Sequence, residues 1–182
     1  MIRARTYYVW DPLQRLFHWC LAISFILSVF VSGHQHPHLH RWVGCVTVLL
    51  ILFRLVYGAA GPHYARFSQL LRGTKETLTY IRGLRHGRAT RYLGHSPLSG
   101  LFALLMLAGM AVLSLSGWLL GAPGENGSAA LLVFHRSIAV SMIALVLFHV
   151  CAVLWASLWR RENLALAMLT GRKRQPERGD VL

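Results

Sequence analysis

Four long apolar stretches alternate along the chain with short polar or strongly basic segments. They cover approximately residues 12–33, 38–57, 97–120 and 129–159, with no charge near their centres. About 17–25 apolar residues in a helix suffice to cross roughly 30 Å of hydrocarbon, so each stretch predicts a membrane span. Asp11-Pro12 is a helix start, a carboxylate cap followed by proline in the first helical position. Ser96-Pro97 repeats the device before the third span, and Gly61-Pro62 prevents the second from continuing. The segment between the first two spans is only a few residues long, which makes those spans antiparallel neighbours. Between spans two and three, Phe67, Leu71, Thr74, Leu78 and Ile81 recur at helical spacing with Arg72, Lys75 and Arg82 between them. This predicts an amphipathic helix on the inner leaflet. After residue 160 the pattern predicts a short helix and then a charged, flexible tail over 176–182.

Composition agrees with this pattern. Of the 182 residues 55% are hydrophobic and 14% charged, against about 25% charged in a soluble domain. The expected fold is all-α: a four-helix transmembrane bundle forming one membrane-embedded domain, residues 1–175. No small-residue cleavage site follows the first apolar run, which therefore reads as an uncleaved span. Seventeen of the nineteen basic residues flank the same side of the membrane, leaving Arg41 and Arg136 for the other. Positive charge marks the cytoplasmic side, so both termini and the long middle segment are expected there. The net charge of +13 then reflects topology and anionic headgroups, and nucleic acid is not an expected partner. Cys20, Cys45 and Cys151 all fall within spans and read as packing residues.

The chemistry lies in four histidines, His18, His40, His135 and His149, inside or at the ends of the spans. Imidazole in hydrocarbon needs a metal or a hydrogen-bond partner. His135 and His149 are fourteen residues apart, about 40° short of four full turns and roughly 21 Å along the axis, so they share a face at two depths. His18 belongs to the inner half and His40 to the outer, which pairs His18 with His149 and His40 with His135. Zinc needs three or four ligands, and no third residue joins either pair. Haem iron needs only two axial ligands, and two imidazoles leave no open position, favouring electron transfer. Arg54 is placed for the propionates of an inner haem and Arg41 or Arg136 for those of an outer one.

The runs VWDPLQRLFHW, LHRWVG, FRLVYGAAGPHYARF, YLGHSPLSG and RRENLALAMLTGRKR resemble the bacterial cytochrome b561 superfamily, more narrowly its branch containing the nickel-hydrogenase cytochrome b subunit. The likeness extends from about Tyr7 to Arg174. It implies a four-helix core with two b-type haems (iron protoporphyrin IX) and axial ligands at His18, His40, His135 and His149, the residues reached from helical geometry.

The expected function is transfer of electrons between a membrane quinone or quinol and a periplasmic redox partner, a c-type cytochrome or a dehydrogenase subunit, in the bacterial inner membrane. The chain is read as a respiratory electron-transfer subunit with no catalytic side chain of its own. Lipid and quinone are the other partners expected, and a homodimer stays open. Two alternatives remain: a quinone-linked superoxide oxidoreductase, with Arg41, Arg136 and the loop histidines attracting the anion, and a metal or haem transporter. The spans contain no carboxylate relay, which disfavours the transporter. His34, His36 and His38 read as a polar loop, His95 as a capping or headgroup contact, and His63 and His86 as solvated or interfacial.

Overall fold

The computed structural model describes residues 6–31, 33, 35–121 and 128–181. Four long helices dominate: α1 (Pro12–Phe30), α2 (Pro37–Ala60), α4 (Pro97–Leu120) and α5 (Ala129–Arg160), of 19, 24, 24 and 32 residues. All are long and apolar enough to cross a membrane. Shorter elements are β1 (Thr6–Tyr8), α3 (Thr74–Arg85), α6 (Leu164–Thr170) and β2 (Arg172–Arg174). The expected span boundaries therefore agree with the long helices to within three residues.

Local chemistry starts these helices where the sequence pattern places them. The Gln14 amide donates to Asp11 Oδ1 at 2.9 Å, capping α1, and the Ser99 amide donates to Ser96 Oγ at 3.3 Å at the start of α4. Ser128 caps α5 through the Leu131 amide. Each bond satisfies an amide that the first helical turn leaves without a partner.

The described chain divides into two compact units. One comprises 16–55 and 106–149 and contains the middle parts of the long helices. Phe25, Ile51, Met110 and Met142 form its buried core, with Leu107, Ile138 and Val146 packed against them. A Cβ on Gly109 would run into the Met142 sulfur, so the missing side chain lets α4 and α5 approach closely. Leu49, Leu115, Val140 and Leu147 stay exposed, the arrangement of a bundle whose outward face is solvated by lipid.

The other unit gathers 1–15, 56–105 and 150–182, and here the segments between spans fold onto one another. Strands β1 and β2 pair antiparallel, Thr6 opposite Arg174 and Tyr8 opposite Arg172. Gly171 joins α6 to β2 in the left-handed region, φ 78°, while its carbonyl accepts from the Val9 and Trp10 amides at 2.9 and 3.1 Å. A side chain there would be strained and would meet the Trp10 carbonyl. Val9, Trp10 and Leu93 form the small core, against Tyr64 and Met168.

Two expectations change in this unit. The amphipathic segment is not one helix over 67–81: a 3-10 turn at Phe67–Gln69 precedes α3, and the chain is non-helical through Gly73. Residues 176–182 were expected as a flexible tail. The Val181 amide donates to the Arg91 carbonyl at 2.9 Å, and Asp180 pairs with the Arg91 guanidinium. Arg91 also bonds Glu162 at 2.9 Å and the carbonyls of Arg174 and Gln175. Burial alone would raise the Glu162 carboxyl, but hydrogen bonds from Arg91 and the Arg174 amide hold it below its ordinary value.

Candidate functional site

All four span histidines lie in the unit made of 16–55 and 106–149. His18 is in the second turn of α1, His40 in the first turn of α2, and α5 carries both His135 and His149.

His40 and His135 are brought together, their ring centres 6.3 Å apart and the ring planes at 82°. In both, Nδ1 is engaged. His40 Nδ1 donates to the Val31 carbonyl at 2.7 Å, since a carbonyl only accepts. His135 Nδ1 lies 2.9 Å from Ser116 Oγ. The Ser116 hydroxyl donates its single proton to the Leu113 carbonyl at 2.9 Å, so toward His135 it accepts. Both imidazoles thereby carry the proton on Nδ1 and keep the Nε2 lone pair, the tautomer that binds a metal through Nε2.

His18 and His149 interact electrostatically. The Nδ1 of His18 is buried, with no hydrogen-bond partner among the described residues. The edge of its ring meets Trp19 at 5.1 Å between centres. A buried imidazole nitrogen without a partner is costly unless a ligand completes its surroundings.

These features fit a haem iron held by paired imidazoles. Two metal–nitrogen bonds of about 2 Å each, added to the two half-rings, would span about 6 Å between imidazole centres. The separation of His40 and His135 meets that requirement. Gly44, one turn beyond His40, has open space where a Cβ would stand, which leaves room beside the ring for a flat apolar group. No cluster of three or more His, Cys, Asp or Glu side chains occurs among the described residues.

The three arginines differ. Arg54 is buried within α2, only 5% exposed, with its guanidinium 6.0 Å from the centre of the Phe17 ring. Arg41 is exposed and reaches the backbone at Gly121, and Arg136 is exposed on α5. His36 and His38 are exposed beside the start of α2, and His34 lies outside the described residues. His95 packs on Trp10 at 4.9 Å, and His86 Nδ1 donates to the Arg82 carbonyl. The three cysteines are free.

The pattern of apolar positions does not single out Ser116. The available signal was a hydroxyl in a span with no ionisable residue, where such a group needs a partner. It missed the Val31 carbonyl altogether, since backbone acceptors leave no trace in side-chain identity.

No curated protein matches the chain. The family model described as prokaryotic cytochrome b561 matches residues 9–171, a stretch that includes all four long helices. That family carries electrons in the membrane with b-type haem, and four spanning helices make this chain a multi-pass protein of the bacterial inner membrane. The chain belongs to the prokaryotic cytochrome b561 family.

Proposed function

We propose that the chain is a dihaem cytochrome b that moves electrons between a membrane quinone or quinol and a periplasmic redox partner, a c-type cytochrome or a dehydrogenase subunit. The observation that carries this reading is the approach of His40 to His135, ring centres 6.3 Å apart, and the electrostatic influence of His149 on His18 supports a second pair. Each pair would hold one haem, which supplies one-electron exchange when bound. A haem held by two imidazoles would supply electron transfer rather than oxygen chemistry.

The protein's own part is to fix the ligands and the charge around them. The Val31 carbonyl and the Ser116 hydroxyl hold the outer imidazoles in one tautomer and one orientation. Helical backbone hydrogen bonds keep both rings of α5 in register, so little has to move when charge changes. Buried Arg54 offers a positive charge for the propionates of the inner haem, and Arg41 and Arg136 offer theirs at the outer end. Both termini and the segment between α2 and α4 are assigned to the cytoplasm, on the distribution of basic residues. The assembly is read as a single membrane-embedded domain whose cytoplasmic segments fold against each other.

Pyridine haemochrome assay and redox titration of the purified protein test this directly. Two b haems per chain with separate midpoint potentials, both reduced by quinol, are expected. One haem per chain, or two that quinol does not reduce, would overturn the proposal.

A further inference from the structure

An open groove of about 530 Å³ lies along α3 and the segment that follows it, a volume within the roughly 300–1,000 Å³ range of ligand sites. None of its lining residues belongs to the histidine pairs.

One wall is a stripe of α3. Lys75, Thr79, Arg82 and His86 follow each other at intervals of four, three and four, which keeps them on one helical face. The other wall is Arg88 to Thr90, and Tyr80 and Tyr92 form the buried base. The second wall is held close by backbone: the Arg88 amide donates to the Gly83 carbonyl at 2.8 Å. A Cβ on Gly83 would stand 3.2 Å from the Ala89 Cα and 3.3 Å from the Arg88 carbonyl oxygen. A side chain at 83 would push the walls apart.

The charge of this groove is uncompensated. Its one carboxylate, Glu76, already accepts from Arg72 and from the Tyr92 hydroxyl, both at 3.0 Å. Lys75, Arg82 and Arg88 make no ion pair among the described residues. The Tyr80 hydroxyl accepts from Arg160 at 2.9 Å and so keeps its own proton to donate. Guanidinium forks, an ammonium and a phenol proton around a concave space match the acceptor oxygens of a phosphate. Leu78 is exposed beside the stripe, 53%, about 70° around the helix from its midline, and Leu71 is exposed, 66%, in the segment that leads into the helix. Apolar side chains next to a cationic row are the mark of a helix lying at headgroup depth.

We infer that the groove between α3 and Arg88–Thr90 binds a phosphate-bearing anion, either the headgroup of an anionic phospholipid or a soluble phosphate. The inference rests on the membrane reading of the chain and is independent of the electron route.

The test uses the delipidated full chain with its haems, titrated separately with phosphatidylglycerol, phosphatidylcholine and inorganic phosphate, read by native mass spectrometry and calorimetry. The double variant Lys75→Gln/Arg82→Gln alters only exposed side chains. Arg161→Gln/Arg178→Gln removes the same charge elsewhere on the basic side. Phosphatidylglycerol should bind the wild type in preference to phosphatidylcholine. The groove variant should bind it about thirtyfold more weakly, at roughly fivefold per lost charge, with the control variant within about twofold of wild type. Saturable binding of inorganic phosphate, lost in the groove variant, would assign the site to soluble phosphate. Binding of the lipid alone would assign it to the headgroup. Equal losses in both variants, or no preference for phosphatidylglycerol together with no saturable binding of inorganic phosphate, would overturn the inference.

Discussion

Replacing Ser116 with alanine isolates one bond of the outer histidine pair. The hydroxyl is 3% exposed, 2.9 Å from His135 Nδ1 and 2.9 Å from the Leu113 carbonyl it donates to. Removing it deletes the side-chain acceptor at His135 Nδ1 and leaves the ring the Leu113 carbonyl, which it also reaches and which the helix ladder already uses. Losing one of two such bonds costs about 0.5–1.5 kcal/mol. Loss of an outer-shell partner of a metal-binding histidine typically weakens metal affinity about 10–100-fold, which is about 1.4–2.7 kcal/mol and meets the first figure at its lower end. Ser116→Ala should therefore release haem from the outer pair about 10–100-fold faster, measured by transfer to an excess of a haem-binding acceptor.

A second readout separates tautomer control from packing. Donation from Nδ1–H to an acceptor makes Nε2 a stronger electron donor and favours the oxidised metal. Without it the outer midpoint potential should rise while the inner one, set by His18 and His149, stays put. Ser114→Ala, on the same helix, is the control and should change neither. If Ser116→Ala matches wild type in both haem release and midpoints, the deduced protonation of His135 is wrong. A shift in both potentials would mean general loosening of the bundle.

His149→Ala should remove the inner haem preferentially, leaving about one haem per chain by pyridine haemochrome; retention of both would refute the pairing. Arg91→Met leaves Glu162 and Asp180 without their cation in a largely buried network, a change worth about 3–5 kcal/mol. Amide exchange in 172–181 and 6–10 should accelerate accordingly, with little change at the histidines. Burial, reinforced by Arg91 and Arg160 and opposed by Glu162, lowers the Lys173 ammonium to about 8 from 10.5. Between those values the unfolded chain binds more protons than the folded one, so stability rises with pH by up to about 3 kcal/mol. Cation–π contact with the Trp10 ring at 5.2 Å offsets part of the penalty at lower pH. Lys173→Met should flatten that alkaline rise in chemical denaturation curves. The Glu162 and Asp180 carboxyls work at the other end: both are held below their ordinary values, of 4.5 and 3.8, so their contribution is lost as pH falls through the folded values.

How much was legible in the sequence follows from what helical periodicity encodes. A span converts residue spacing into depth and azimuth by fixed arithmetic, so fourteen residues between His135 and His149 were enough to put them on one face at two levels. Helix starts were equally legible, because a cap is a local event between Asp11 and Gln14 or Ser96 and Ser99. What periodicity does not encode is how one helix is rotated against another. It singles out neither Ser116 nor Gly109, yet one anchors an imidazole and the other admits a methionine.

The basic residues show the same boundary from another side. Their uneven distribution across the membrane is a one-dimensional signal, visible by counting, and it accounted for the net charge without assigning any single residue a partner. Pairing is three-dimensional. Arg91 meets Glu162, 71 positions away, and Asp180, 89 positions away, and β1 finds β2 from opposite ends of the chain. Nothing in a run of like charges tells which arginine will be buried. The exceptions are those that few carboxylates are left to neutralise: with six acidic residues against nineteen basic ones, once Glu162 and Asp180 are taken by Arg91 and Glu76 by Arg72, most of the remaining cations must look outside the protein for anions. In a membrane the nearest supply is phosphate, and the groove along α3 is where several of those cations converge on one space.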